Sequence, residues 1–508
     1  MMTSWRDTSS DRWQAICSNI QRWVPLFEWL PKYNWRRDFV YDLIAGLTYS
    51  TVVIPQSMAY AMLAKLPPVY GLYSSITPMF LYFVFGTSRH LVTGTFALTS
   101  MMLGEAVANV LQKSGTPRED DYEKEFIITT LRITFLVGML QILFSFLNVG
   151  RYISKYLLPD SLISGFTNAA AIYITTSQLP GLLQFHVPEY FGVFNLVKSW
   201  GYMISHLHEA HLPTFLLGSG VIVSILLLKS YETSIQQWLQ RSKGEEVVAE
   251  DEGVPLMDDT DTHFALPRVA NNKDVAKANS GIKLPIPETL LVIIFYTAVT
   301  WLFSLEKHGI SIIGFIPNGF PMTVNSVNFR DGSDFFNHLN QSILLAIVAY
   351  VMTMSIAKSF SKKSNYQIDE NQEMFALGIS TAIASFFSGY ISCGSLTRTS
   401  VVHSTGGKSQ IAMLIGTMVV CFILLGFTFV FHYLPNVVLA GVTLMACKNL
   451  FLKLDEVVGY WRYHRYQFAI WFTTFTVSVI FKAELGIAAG MAISMIGQGI
   501  ERFLNPYF

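Results

Sequence analysis

Apolar runs of about twenty residues, long enough to cross a bilayer as helices, recur along this chain from about Tyr41 to Ile496. Their limits predict spans near 38–64, 69–86, 91–111, 126–148, 157–183, 212–230, 286–304, 341–360, 372–390, 393–407, 409–431, 437–451, 467–481 and 485–500. That makes about fourteen segments, the third and tenth broken or half-length. Pro55, Pro78 and Pro159 are expected to kink spans or begin them, since proline removes a helical hydrogen bond. The pattern predicts an all-α polytopic membrane protein.

The polar positions between the runs set the orientation. Lys32, Arg36 and Arg37 precede the first span, and Arg89 follows the second. Arg151 and Lys155 follow the fourth, Lys358, Lys362 and Lys363 the eighth, and Lys453, Arg462 and Arg465 the twelfth. Short-loop basic residues favour the cytosol, so most fall on one side if the N-terminus is cytosolic, and an even span count returns the C-terminus there. The loop Asp120-Asp121-Tyr122-Glu123-Lys124-Glu125 lies on the opposite side. One polar insertion, about Gln240 to Lys283, carries an acidic block from Glu245 to Asp261 that cannot bury a core and reads as disordered.

Composition sharpens the class. Of 508 residues, 51% are apolar, 14% aromatic and 14% charged, against about 25% charged in soluble proteins. Lys plus Arg equals Asp plus Glu at 35 each, which argues against nucleic acid as partner. The segment before Lys32 has no continuous apolar core of the kind a cleaved leader carries, so the first span is expected to target the chain. Cys17, Cys393, Cys421 and Cys447 show no paired spacing, and neither a disulfide nor a metal site is expected from them.

Two polar, glycine-bearing interruptions carry the candidate chemistry: Thr93-Gly94-Thr95-Phe96-Ala97-Leu98-Thr99-Ser100 and Gly394-Ser395-Leu396-Thr397-Arg398-Thr399-Ser400. Such segments at matching places of two halves point to a transporter's binding site. An arginine at membrane depth costs about 2.5–3.5 kcal/mol on insertion scales, which marks it as functional and its ligand as an anion. The competing view is that Arg398 braces the helices. Glu105 and Arg132 fall in the outer halves of their spans and are expected to pair with each other, or else to reach an outer vestibule separately.

Other signals are weak. Gly406-Gly407-Lys408-Ser409 is like the end of a phosphate-binding loop, but the required earlier glycine is Val402. His206, His208, Glu209 and His211 lack metal-ligand spacing, so no metal is expected there. Glu252-Gly253-Val254-Pro255-Leu256-Met257 loosely matches an acidic sorting signal. The sequon Asn340-Gln341-Ser342 abuts a span. No nucleophile, metal or phosphate-cradling constellation supports an enzyme, and no cofactor is expected.

The stretch Pro67-Pro68-Val69-Tyr70-Gly71-Leu72-Tyr73-Ser74-Ser75 followed by Gly86-Thr87-Ser88-Arg89-His90 resembles the signature of the sulfate permease (SulP) family of anion transporters. Val53-Ile54-Pro55-Gln56-Ser57-Met58-Ala59-Tyr60, Gly165-Phe166-Thr167-Asn168-Ala169-Ala170-Ala171, Asp369-Glu370-Asn371-Gln372-Glu373 and Gly406-Gly407-Lys408-Ser409-Gln410 match it in order, from about Trp35 to Phe503. The resemblance implies a seven-plus-seven inverted repeat. Residues 36–150 and 339–432 would form a core domain, and 151–230, 286–338 and 433–508 a gate domain. Residues 1–35 form a cytosolic segment and 231–285 the acidic insertion. It implies an anion held between the half-helices of spans 3 and 10 and carried by an elevator motion. The implied site comprises Gln56, Tyr60, Phe96, Ala97, Ser395, Leu396, Thr397 and Arg398, with Gln56 offering its amide N–H and the rings their positive edges. The family's usual cytosolic STAS domain has no counterpart before the chain stops at Pro506-Tyr507-Phe508.

Proton-coupled relatives resemble each other in carrying a glutamate about where Met352 sits, and its absence favours uncoupled exchange of sulfate, oxalate, chloride or bicarbonate. The rivals are a chloride-conducting or voltage-responsive relative and, further off, a proton-coupled nucleobase symporter. Expected partners are small inorganic or organic anions, the lipid bilayer and a second copy in a homodimer. The plasma membrane is the expected location, an endosomal or lysosomal membrane the alternative.

Overall fold

The computed structural model describes residues 23–114, 121–153, 159–185, 187–188, 194–242, 288–319, 329, 332–451, 454–481 and 483–504. Its principal helices are α1 (Phe39–Leu63), α2 (Val69–Phe85), α3 (Ala97–Ser114), α4 (Tyr122–Phe146), α5 (Asp160–Leu183), α6 (Leu212–Ser242) and α7 (Glu288–Leu302). Then come α8 (Gly332–Lys363), α9 (Glu370–Ala384), α10 (Leu396–Ser404), α11 (Ile411–Gly426), α12 (Asn436–Phe451), α13 (Arg465–Ile480) and α14 (Ala483–Leu504). Two two-residue strands, β1 (Thr93–Gly94) and β2 (Cys393–Gly394), precede α3 and α10. Each of these helices overlaps one of the apolar segments, and two further helices, Asn195–Ser205 and Leu454–Tyr463, lie between them. The acidic block and Cys17 lie outside the described residues, whereas Cys393, Cys421 and Cys447 carry free thiols.

Among the described residues, three helices are long and apolar enough to cross a membrane by length and hydropathy: Tyr122–Phe146, Leu212–Tyr231 and Gly332–Lys363. The others are shorter or diluted by polar side chains that bond to their own backbone. In α1, Thr48 Oγ1 donates to the Ile44 carbonyl at 2.9 Å and Ser57 Oγ to that of Ile54 at 2.9 Å. Pro55 and Pro78 lie inside α1 and α2, and Pro159 precedes α5. Helix α8 starts at Gly332, well before its apolar run, because Asp334, His338 and Ser342 are buried there rather than solvated.

The chain divides into two compact units. One holds Met1–Lys155 and Phe315–His432, the other Tyr156–Gly314 and Tyr433–Phe508. The first therefore contains α1–α4 and α8–α11, and it takes in residues from Phe315 onward that sequence reasoning put with the gate. The reason is local: Thr428 Oγ1 donates to the Ile316 carbonyl at 3.0 Å, and Asp334 meets Arg132 of α4 at 3.7 Å.

Within the first unit α4 and α9 cross backbone to backbone, as small residues allow between membrane helices. A Cβ on Gly138 would lie 2.4 Å from the Ala382 nitrogen, and one on Gly378 2.8 Å from the Ile142 nitrogen. In the second unit Trp471 and Phe475 of α13 stack at 5.0 Å, and Tyr173 of α5 donates to the Ser478 carbonyl at 3.2 Å.

Three of the motifs, those at residues 86–90, 369–373 and 406–410, tie one end of the first unit together. Glu373, buried at the start of α9, accepts hydrogen bonds from the Thr87 and Ser88 amides at 2.7 and 3.0 Å and from Tyr82 Oη at 2.6 Å. Gln410 Nε2 donates to the Gly86 and Ser88 carbonyls at 3.1 and 2.7 Å. Asp42 of α1, also buried, accepts from the Lys408 amide at 2.6 Å, Ser409 Oγ at 2.6 Å and Tyr33 Oη at 2.9 Å. Buried carboxylates survive only when so satisfied.

Candidate anion-binding site

The extended residues before α3 and α10 pair antiparallel, Thr93 with Gly394 and Gly94 with Cys393. Ser395 N extends the ladder by donating to the Val92 carbonyl at 3.0 Å, and Val92 N donates to Thr399 Oγ1 at 3.1 Å. From α8, Thr353 Oγ1 accepts the Gly394 amide at 2.9 Å. The two half-helices thus start from a shared, hydrogen-bonded seam.

That seam decides which amides face outward from the helix starts. Ser100 N donates to the Phe96 carbonyl and Thr399 N to the Ser395 carbonyl, so Phe96 and Ser395 occupy equivalent capping positions. An α-helix leaves the N–H groups just after its cap without intrahelical acceptors. The donors are therefore Ala97 and Leu98 in α3, and Leu396 and Thr397 in α10. The Ser395 amide is not among them, because it is committed to the Val92 carbonyl. Its hydroxyl, fully buried, has no hydrogen-bond partner.

Arg398 lies one turn into α10 and is fully buried. Its Nε donates to Gln56 Oε1 at 3.3 Å and its Nη2 to Thr95 Oγ1 at 2.9 Å, while Nη1 has no partner. Its guanidinium carbon stands 5.7 Å from the centre of the Tyr60 ring, over the face rather than at the expected positive edge. Tyr49, Tyr60 and Tyr390 are its electrostatic neighbours. Among the described residues its hydrogen-bond acceptors are all neutral. Buried charges ordinarily have an opposite charge close by, and two helix N-termini with about +0.5 charge each deepen the positive field. Two unpartnered buried groups, Arg398 Nη1 and Ser395 Oγ, complete an arrangement that accepts a small anion and repels a cation.

Gln56 keeps its oxygen on the guanidinium, which turns its NH₂ away from it. Phe96, the cap of α3, is buried, and Met352 is buried on α8. Thr95 was not singled out from sequence: a threonine beside a glycine carries no charge or pattern that marks it, and its role follows from the hydrogen bond it accepts from Arg398. Gly94 was missed too. Its φ is +149°, and a Cβ there would lie 3.2 Å from Arg398 Nη1. Of the outer pair, Arg132 sits 3.7 Å from Asp334, itself 3.3 Å from His338 Nδ1. In the outer histidine cluster His206 stacks on Tyr202 at 3.9 Å, and His211 Nδ1 lies 2.7 Å from Thr214 Oγ1.

The sulfate permease family model matches residues 39–474. The chain belongs to that family. It is 29% identical to prestin of Danio rerio over 495 residues, 95% of this chain and 60% of prestin. It is likewise 29% identical to the chloride anion exchanger of Mus musculus, over 93% of this chain and 57% of that protein. The chain thus spans about three-fifths of the length of these relatives. Its fold matches the murine Solute Carrier 26 family member A9 anion transporter in the inward-facing state, with TM-score 0.79 and 27% identity over 96% of this chain and 72% of that one. This family member is accordingly a multi-pass membrane protein of an anion-transporting family.

Proposed function

We propose that the chain is a secondary anion transporter that exchanges sulfate, oxalate, chloride or bicarbonate without coupling to protons. The observation that carries this is Arg398, fully buried with only neutral acceptors beside two helix N-termini. Burying an unpaired ion costs several kcal/mol. The two neutral hydrogen bonds, at about 1.5–3 kcal/mol each, and one ring face offset part of that. An anion about 4 Å away adds roughly 4 kcal/mol at an effective dielectric of 20, and so completes the site.

Fourteen spans in a seven-plus-seven inverted repeat fit the equivalent caps Phe96 and Ser395. We read the unit that holds the site as the carrier in an elevator motion, working as a homodimer in the plasma membrane with both termini cytosolic. The apolar Met352 in α8 supports uncoupled movement. Glu105 is proposed to join Arg132 and Asp334 in the outer half of the same unit. The double change Glu105→Gln/Arg132→Gln should then lose no more transport than the worse of the two single changes, and additive losses would sink that link.

The decisive experiment is tracer uptake of sulfate and chloride into proteoliposomes, with and without internal counter-anion, for wild type and Arg398→Ser. Trans-stimulated uptake, lost or altered in selectivity in the variant, is expected. Uptake indifferent to internal anion would favour conductance, and wild-type behaviour of Arg398→Ser would reduce the arginine to a brace.

A further inference from the structure

A second set of basic groups gathers at the end of the first unit where the motifs knot together. Arg89 stands 5.4 Å over the Tyr366 ring, Lys363 5.3 Å over Phe360, and Lys408 5.7 Å over Tyr41. Between them His90 and His403 meet edge to face at 5.3 Å, and His403 lies 5.3 Å from Phe360. His90 Nδ1 is 3.4 Å from Tyr366 Oη. Lys408 is an electrostatic neighbour of both imidazoles.

The three cations are exposed, and none of them takes part in an ion pair among the described residues. The carboxylates nearest in the network, Asp42 and Glu373, are buried and turned inward, their oxygens taken by amides and hydroxyls. At the surface Asp369 caps α9 and Glu370 pairs with Lys358 and Arg151, which leaves the three cations without a carboxylate partner among the described residues. A cation held over a ring face keeps its N–H donors for another acceptor. The backbone adds no cradle: Gly406, Gly407, Lys408 and Ser409 amides donate to the His403 and Val402 carbonyls and to Asp42. Recognition here would fall to side chains, an arginine fork and two ammonium groups around paired imidazoles. That set matches a group with several oxygens and close to two negative charges.

We propose that Arg89, Lys363 and Lys408, with His90 and His403, bind a phosphomonoester group presented on the cytosolic side. An inositol-lipid headgroup in the inner leaflet or a soluble phosphate ester would present the same chemistry. These side chains are not the ones that surround Arg398; the proposal takes from the transport reading only the cytosolic placement of this end, and its binding readout does not depend on which anion is carried.

The test uses the whole chain in nanodiscs at saturating chloride, so that the Arg398 site is equally occupied throughout. Its melting temperature is titrated with soluble inositol 1,4,5-trisphosphate, and compared in discs containing phosphatidylinositol 4,5-bisphosphate or a charge-matched amount of phosphatidylserine. We expect saturable stabilisation by a phosphomonoester probe. Half-saturation should rise at least about tenfold in Lys363→Gln/Lys408→Gln, as expected for two lost charge-assisted contacts, and return in Lys363→Arg/Lys408→Arg. Stabilisation by the lipid alone names the membrane as source, and stabilisation by both probes admits a soluble ligand. Equal stabilisation by phosphatidylserine, absence of saturation, or an unchanged midpoint in the double variant each overturns the site. Chloride uptake by the same variants verifies that they fold.

Discussion

Thr95 and Gly94 hold Arg398 from the opposite half of the chain, and the guanidinium is placed by them as much as by its own helix. Thr95→Val deletes a hydrogen bond to a charged group, about 1.5–3 kcal/mol in value. The half-saturating anion concentration in proteoliposomes should rise roughly tenfold or more, with little change in melting temperature. Gly94→Ala meets both a strained φ and Arg398 Nη1, and should abolish uptake outright. His90 supplies a test by pH. Burial first, then His403, Arg89 and Lys408, push its imidazole down to about 4. The folded state therefore binds fewer protons than the unfolded chain, whose histidines titrate near 6.5. Stability from this group is complete above pH 6.5 and is lost as pH falls toward 4, about 2 kcal/mol of it by pH 5. The slope of melting temperature against pH should flatten in His90→Gln. Sequence alone made Arg398 conspicuous, because a charge in an apolar run stands out. Thr95 and Gly94 act by shape and register, which only the pairing of β1 with β2 makes visible.

The short strands explain why spans 3 and 10 read as interrupted. Each half-helix begins where the extended seam ends, and the seam uses the amides that a continuous helix would have claimed. The helix limits were legible from hydropathy at most ends, since apolar runs and helices share their boundaries. They were illegible at α8, whose first turns bury Asp334 and His338 against Arg132 instead of exposing them. The same holds for the other motifs, which identified the family without stating their work. Glu373 and Asp42 turn out to join the ends of α1, α2, α9 and the loop before α11. Glu373→Gln replaces an acceptor-only group in a site lined by donors, and should cost at least about 2 kcal/mol. A drop in melting temperature, with the anion half-saturation of the surviving protein unchanged, would separate this structural role from Arg398.

For the whole molecule, the division into two units interleaves the chain, since each unit draws on both halves of the sequence. Composition and apolar periodicity announced a polytopic membrane protein, but the assignment of helices to units rests on packing between distant segments and came from the family resemblance. Orientation remains open to direct measurement. In a cysteine-free background, Ser364→Cys should react with a membrane-impermeant maleimide only from the cytosolic face and Glu123→Cys only from the outside. The reverse pattern would invert the topology.

Every candidate ligand group, from Gln56 and Thr95 to Ser395 and Arg398, belongs to one unit, and the β1–β2 seam welds the two helix starts together. On the proposed reading, in which that unit is the moving carrier, a cargo held wholly inside it keeps the same coordination whichever side of the membrane the unit faces. Its grip should then be equal from both sides, so that the carrier imposes no direction of its own. Net flow would follow the electrochemical gradients of the anions alone, reversing as readily as they do.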